Sequence, residues 1–209
     1  MRAIPETLPR RRPRQARAQA TVDAIIQATA QILVEQGYDR ASTNRVALAA
    51  GVSIGSLYQY FPSKEALVAA LVEQHQARMY DALTENIAKS QANTLPGVTR
   101  IVVEGLIAAY RVDPKLHEVL CQEVPKVGEL RNVYRFEERL AHVGKTYLAS
   151  HRDVIRTEDL ERTIFLLAHA VPSVIRAAVA SDPTGSGDEI LASEITDMVL
   201  RYLMVNPPS

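Results

Sequence analysis

Apolar residues recur along this chain at spacings of three and four almost without interruption, the pattern of amphipathic helices that each bury one face. Val22, Ile25, Ile26, Thr29 and Leu33 follow it and Gly37 ends the run, which predicts a first helix near 18–36. Ser42 or Thr43 is suited to cap a short second helix with Val46, Ala47 and Ala50 inward, closed by Gly51. Ser53 caps a third through Tyr60, and the Phe61-Pro62-Ser63 break restarts the chain as a long fourth helix. There Leu67, Leu71, His75, Met79, Leu83 and Ile87 recur every four residues, to about Gln91.

Five more helices follow. Thr94 to Tyr110 forms the fifth, Asp113-Pro114 opens the sixth, and Glu129 to Ser150 the seventh. Thr157-Glu158-Asp159 starts the eighth, which Pro172 is expected to bend, and Leu191, Ile195, Met198, Val199 and Tyr202 mark the ninth. Asp182 to Asp188 reads as a linker. With no alternating stretch of useful length, the expected fold class is all-α.

Composition adds little beyond size. The 209 residues are 47% hydrophobic, enough for a sizeable core, and the single Cys121 forms no internal disulfide, so a reducing, cytoplasmic setting is expected. The N-terminus has arginines but no apolar core of signal-peptide length. The most apolar stretches, 101–110 and 164–171, are interrupted by Glu104 and His169 or by nearby arginines, so no membrane contact is expected. Charge changes the picture more. The formal total is zero, yet residues 1–64 carry nine Lys and Arg against four acids, +5, and the remainder is −5. A basic end on an acidic chain suits a locally contacted polyanion, and equally a solvated arginine tail.

Residues 43–64, TNRVALAAGVSIGSLYQYFPSK, supply the chemistry. Two short helices joined at Ala50-Gly51-Val52-Ser53 have the form of a helix-turn-helix, with Gly51 permitting the reversal and Val52 plugging the joint. The second helix suits a DNA major groove, with Leu57 and Phe61 packed inward. Thr43 and Ser53, at helix starts, are donors to phosphate. Gln59 fits adenine bidentately, Ser56 bonds either way, Ile54 touches a thymine methyl, and Gly55 lets the backbone approach. Tyr58, Tyr60 and Lys64 reach flanking phosphates, the tyrosines also being candidates for plain packing.

Gly37-Tyr38, Ser42-Thr43, Val46-Ala47, Ala50-Gly51-Val52-Ser53, Gly55, Leu57-Tyr58, Tyr60-Phe61 and Lys64-Glu65-Ala66-Leu67 resemble the N-terminal signature of the tetracycline-repressor (TetR) family. The likeness covers roughly 18–70, and the later helix order is similar to that family's nine-helix plan. It implies a flexible Arg-rich arm over 1–17, a helix-turn-helix domain over 18–64, and a ligand-binding and dimerisation domain over 65–209. It also implies a homodimeric transcriptional regulator, usually a repressor, with an unidentified small-molecule effector held among helices four to eight. Ile54 departs from the polar residue often found there.

A dimer also follows from two apolar stripes near the chain end, carrying Val171, Val174, Leu191, Ile195, Met198 and Tyr202, which either close a four-helix bundle with a second copy or face the subunit's own core. A twofold dimer predicts double-stranded DNA with a palindromic operator. Arg10, Arg11, Arg12, Arg14 and Arg17 either follow the DNA or have no role. Tyr110, His117, Cys121, Tyr134, Phe165 and His169 are candidate effector-pocket residues, each mixing apolar surface with a polar handle, and each compatible with a plain core. His117 and Cys121, four apart, are the one arrangement with catalytic or metal-binding potential, and without a phosphate loop or zinc spacing the expectation is no enzyme, no metal and no cofactor. A DNA-binding module without an effector stays the alternative.

Overall fold

Side-chain caps set most of the helix starts. A computed structural model describes residues 12–123 and 136–205, with α1 at Arg12–Gln36, α2 at Thr43–Ala49, α3 at Ile54–Tyr60, α4 at Lys64–Ala88, α5 at Leu95–Arg111, α6 at Pro114–Glu123, α7 at Phe136–Ala149, α8 at Leu160–Ser181 and α9 at Asp188–Leu203. Ser42, Ser53, Thr94, Asp113 and Asp159 each accept a backbone N–H from three residues on, at 3.0 to 3.4 Å, which satisfies donors the helix itself leaves free. The eighth helix therefore starts after Asp159 rather than at Thr157, whose hydroxyl accepts from Thr163 at 2.9 Å. The first helix starts at Arg12, ahead of the expected 18, since Pro13 fits a first turn. Residues 12–17 are thus helical, and 1–11 lie outside the described residues, as does the expected start of the seventh helix at Glu129. The fold is all-α: among the described residues the one strand-like pairing is an isolated bridge between Ile155 and Met204.

The chain divides into two compact units between Leu71 and Val72. In the first, α1 packs on α2 and α2 on α3. Ile25, Leu33, Val46, Leu57, Leu67 and Leu71 are buried at its centre. In the second, α5 packs on α9 and α8, α7 on α8, and α6 on α8, around Met79, Leu106, Tyr110, Phe136, Ile175 and Val199.

Two expectations are corrected here. The stretch from Asp182 to Asp188 is no free linker. The Asp182 carboxylate accepts from Thr184 N at 3.0 Å, Thr184 Oγ1 at 2.5 Å, Ser186 Oγ at 3.2 Å and Gly187 N at 3.1 Å, which holds it ionised well below the usual carboxylate range. Gly185, at φ 73°, makes the reversal. Arg111, at the end of α5, clamps this turn: it forks onto Asp188 at 3.0 and 2.6 Å and donates to the Asp182 carbonyl at 2.5 Å. The second correction concerns α8. Its apolar stretch does not fall short of spanning length: the helix includes the buried Pro172, runs to Ser181 and is long and apolar enough to cross a membrane by length and composition alone, with a third of its most apolar window buried. Its apolarity exceeds what the core of this chain buries.

Candidate functional site

The helix-turn-helix is built around Gly51, whose φ of 66° lies where a Cβ costs about 1–2 kcal/mol. From there Val52 N–H donates to Ala47 at 3.0 Å, and the half-buried Val52 fills the joint. Leu57 is fully buried and Phe61 nearly so, and they orient α3 so that Ile54, Gly55, Tyr58, Gln59 and Tyr60 face solvent. Tyr58 is 51% exposed, too open to be a packing residue alone. A Cβ added at Gly55 would meet only Ser53 Oγ, at 3.9 Å, so the helix start presents backbone to whatever approaches it.

Five expected contact residues have internal partners as well. Thr43 Oγ1 lies 3.1 Å from the Tyr58 hydroxyl, tying the start of α2 to the outer side of α3. Ser56 is half-buried, with its N–H on Ser53 Oγ at 3.0 Å and its hydroxyl 2.8 Å from the same atom, which leaves it less free than Gln59 to meet a base. Lys64 Nζ donates to the Tyr38 carbonyl at 2.9 Å and stands 3.7 Å from the centre of the Tyr38 ring, while the Tyr38 hydroxyl donates to Glu65 at 3.2 Å. Arg45, which sequence reasoning used only as a charge, donates to Gln36 Oε1 at 2.6 Å and the Arg40 carbonyl at 3.2 Å. It fixes the loop between α1 and α2. Its place three residues after the Ser42 cap was the available signal.

The expected effector residues do not form one site. Tyr110, His117 and Cys121 line a cavity of about 340 Å³ between α5, α6 and α8, together with Glu118 and Arg176. Phe165 and His169 do not join them: both are exposed on α8, and the His169 ring donates back to the Phe165 carbonyl at 2.7 Å. Tyr134 lies outside the described residues. His75 Nε2 is 3.3 Å from His117 Nδ1, and His117 Nε2 is 3.4 Å from Cys121 Sγ. Burial, then the Arg78 charge, pushes the pKa of His75 down to about 4, and burial, then His75 and Arg176, pushes that of His117 down to about 3. A neutral imidazole of that kind is a weak base for a thiol. The thiol and His75 also meet opposite nitrogens of one ring, so they cannot share a metal there, and among the described residues no three metal-ligating side chains converge.

The stripe residues also separate. Val171 and Ile195 are buried in the core of the chain itself, Leu191 and Tyr202 half-buried, and Val174 and Met198 exposed. Phe165 at 60% exposure, Leu166 and Ile190 add to the apolar surface of α8 and α9, and helical spacing alone does not assign them to it.

Comparison with known proteins places both units. Residues 25–71 match the family model described as bacterial regulatory proteins, tetR family, and residues 94–203 match the tetracyclin repressor-like C-terminal domain. The nucleoid occlusion factor SlmA of Actinobacillus pleuropneumoniae is 34% identical over 86 residues, 41% of this chain and 42% of that protein, so the chain spans less than half the length of this relative. Among solved structures, the fatty acid degradation regulator FadR from Bacillus halodurans superposes with a TM-score of 0.70 at 22% identity, covering 86% of this chain and 94% of that one. FadR from Bacillus subtilis, solved in complex with stearoyl-CoA, gives 0.70 at 18% identity over 86% and 98%. At these identities the likeness is one of fold.

Proposed function

This chain belongs to the TetR family of bacterial regulatory proteins, a family of DNA-binding transcriptional regulators, and from that premise we propose that it is a ligand-released repressor binding a palindromic operator as a homodimer. The observation that carries the DNA half is the outer surface of α3. Its inward residues are buried, its start is capped by Ser53, and Ile54, Tyr58, Gln59 and Tyr60 are exposed on the other side. In this reading Gln59 and Ile54 read bases, with Ser56 a lesser reader and Gly55 admitting close approach. Thr43, Ser53, Tyr58, Tyr60 and Lys64 hold phosphates. The N-terminal arginines follow the backbone of the same duplex, in the cytoplasm.

The dimer is supported by the apolar surface of α8 and α9, where Phe165, Val174, Ile190 and Met198 are exposed and α8 is more apolar than its own core requires. An effector is supported by two cavities in the unit Val72–Ser209 and by the fold shared with a FadR solved with stearoyl-CoA. Such a ligand releases DNA only if it binds the non-binding conformation more tightly. Gel-shift titration against palindromes upstream of the neighbouring genes tests the proposal: one retarded site, competed by itself and not by bulk DNA, is expected, and equal binding to every fragment contradicts it.

A further inference from the structure

The larger of the two cavities, about 430 Å³, is not the one lined by Tyr110, His117 and Cys121. It lies within the unit Val72–Ser209 among α4, α5, α7, α8 and α9, and its size suits a drug-sized molecule. Its walls are hydrocarbon, Leu83, Leu106, Leu148 and Val171 among them, and among the described residues no Lys, Arg, His, Asp or Glu lines it. The two threonines in the wall have committed their donors: Thr84 Oγ1 donates to the Tyr80 carbonyl at 2.9 Å and Thr99 Oγ1 to the Leu95 carbonyl at 2.8 Å. Tyr147 is different. Its hydroxyl is buried and has no hydrogen-bond partner, and its ring is held by His151, whose ring centre is 4.4 Å away.

An apolar cavity stays dry and takes apolar guests, and a buried unpaired hydroxyl carries a penalty that a guest's acceptor removes. A carboxylate or ammonium placed there loses its hydration and finds no opposite charge among the described wall residues. Burial also raises the Tyr147 pKa, which keeps the phenol a neutral donor. We infer that this cavity holds a neutral, mostly hydrocarbon molecule whose single acceptor oxygen sits on the Tyr147 hydroxyl. The inference rests on the reading of this unit as the effector domain, and it narrows the effector to carbonyl- or ether-bearing lipophiles. Any charged portion of a longer ligand stays outside the cavity.

Isothermal titration of the full-length protein with 2-undecanone and with undecanoate at pH 8 tests it. The ketone is expected to bind at least tenfold more tightly than the anion. Tyr147→Phe should weaken the ketone about threefold to tenfold, the effect of one lost hydrogen bond, and leave undecanoate unchanged. Gly144→Leu serves as a filled-cavity control, because a Cβ at Gly144 meets only Ile164 Cδ1 at an ordinary 3.7 Å; it should fold and lose the ketone more than tenfold. Equal or tighter binding of undecanoate, no binding of either probe, or full ketone affinity in a folded Tyr147→Phe overturns the inference. A second arm adds the ketone to the protein–DNA complex. If it binds as stated and DNA stays bound, the ligand class stands and the ligand-released repressor reading falls.

Discussion

Gln59 and Lys64 stand five residues apart and answer to different physics. Gln59→Ala should cost about 1–3 kcal/mol at one base position and relax preference there. Lys64→Ala should weaken every sequence alike and lower the salt slope by about 1. Because its ammonium also donates to Tyr38, that variant should lose about 1 kcal/mol of stability as well, seen as a lower Tm. A Lys64→Ala protein with unchanged Tm contradicts the internal role. His75 and His117 give a pH prediction. Both titrate near 6.5 when unfolded and at about 4 and about 3 when folded. Between pH 6.5 and about 4 the unfolded chain therefore takes up protons that the folded chain refuses, so stability is full above about pH 7 and falls on acidification. The slope is at most about 1.4 kcal/mol per pH unit for each histidine. Urea midpoints at pH 8 and pH 5.5 should differ, and His75→Gln should remove about half of the difference. The inward positions of Leu57 and Phe61 were legible from spacing alone. That Ser56 and Lys64 have partners inside the protein was not, because those partners, Ser53 Oγ and the Tyr38 carbonyl, depend on caps and loops that periodicity does not describe.

At the scale of elements, a cap or a proline shows plainly in sequence, so the starts of α2, α3, α5 and α6 are legible from the order of residues alone. What composition misjudged was the turn from Asp182 to Asp188. Gly, Ser, Thr and Pro look like a flexible tether, yet one carboxylate gathers the turn's donors and Arg111 locks it from 71 residues away along the chain. Gly185→Ala should cost about 1–2 kcal/mol, since its φ is left-handed and a Cβ would press on Asp188 Oδ2 at 3.0 Å. Arg111→Met should cost about 1.5–3 kcal/mol by breaking charge-assisted bonds to both Asp188 and the Asp182 carbonyl. Thermal unfolding of the two variants checks both figures, and a change within about 0.5 kcal/mol, what an ordinary surface substitution gives, contradicts the lock. The cavities illustrate the same limit. Residues with polar handles drew attention in sequence, whereas the larger cavity is lined by the Leu and Val residues that a helical stripe assigns to core, with the Tyr147 hydroxyl buried and unpaired in its wall.

At the scale of the whole molecule, the proposed repressor needs two copies paired about a twofold axis. Phe165→Glu combined with Ile190→Glu places four charges in the proposed dimer surface, two per subunit. Sedimentation should then show a folded monomer, and operator affinity should fall by roughly 10²-fold or more as bivalency is lost. A dimer that persists with unaltered affinity contradicts that placement. The most direct test of the central claim, that the outer face of α3 reads duplex DNA in pairs, is a DNase footprint of the full-length protein on genomic fragments selected for binding. The account predicts a protected inverted repeat with half-site centres about 34–36 Å apart, or a multiple of that spacing. Protection that follows no common sequence, or a site without twofold symmetry, would contradict it.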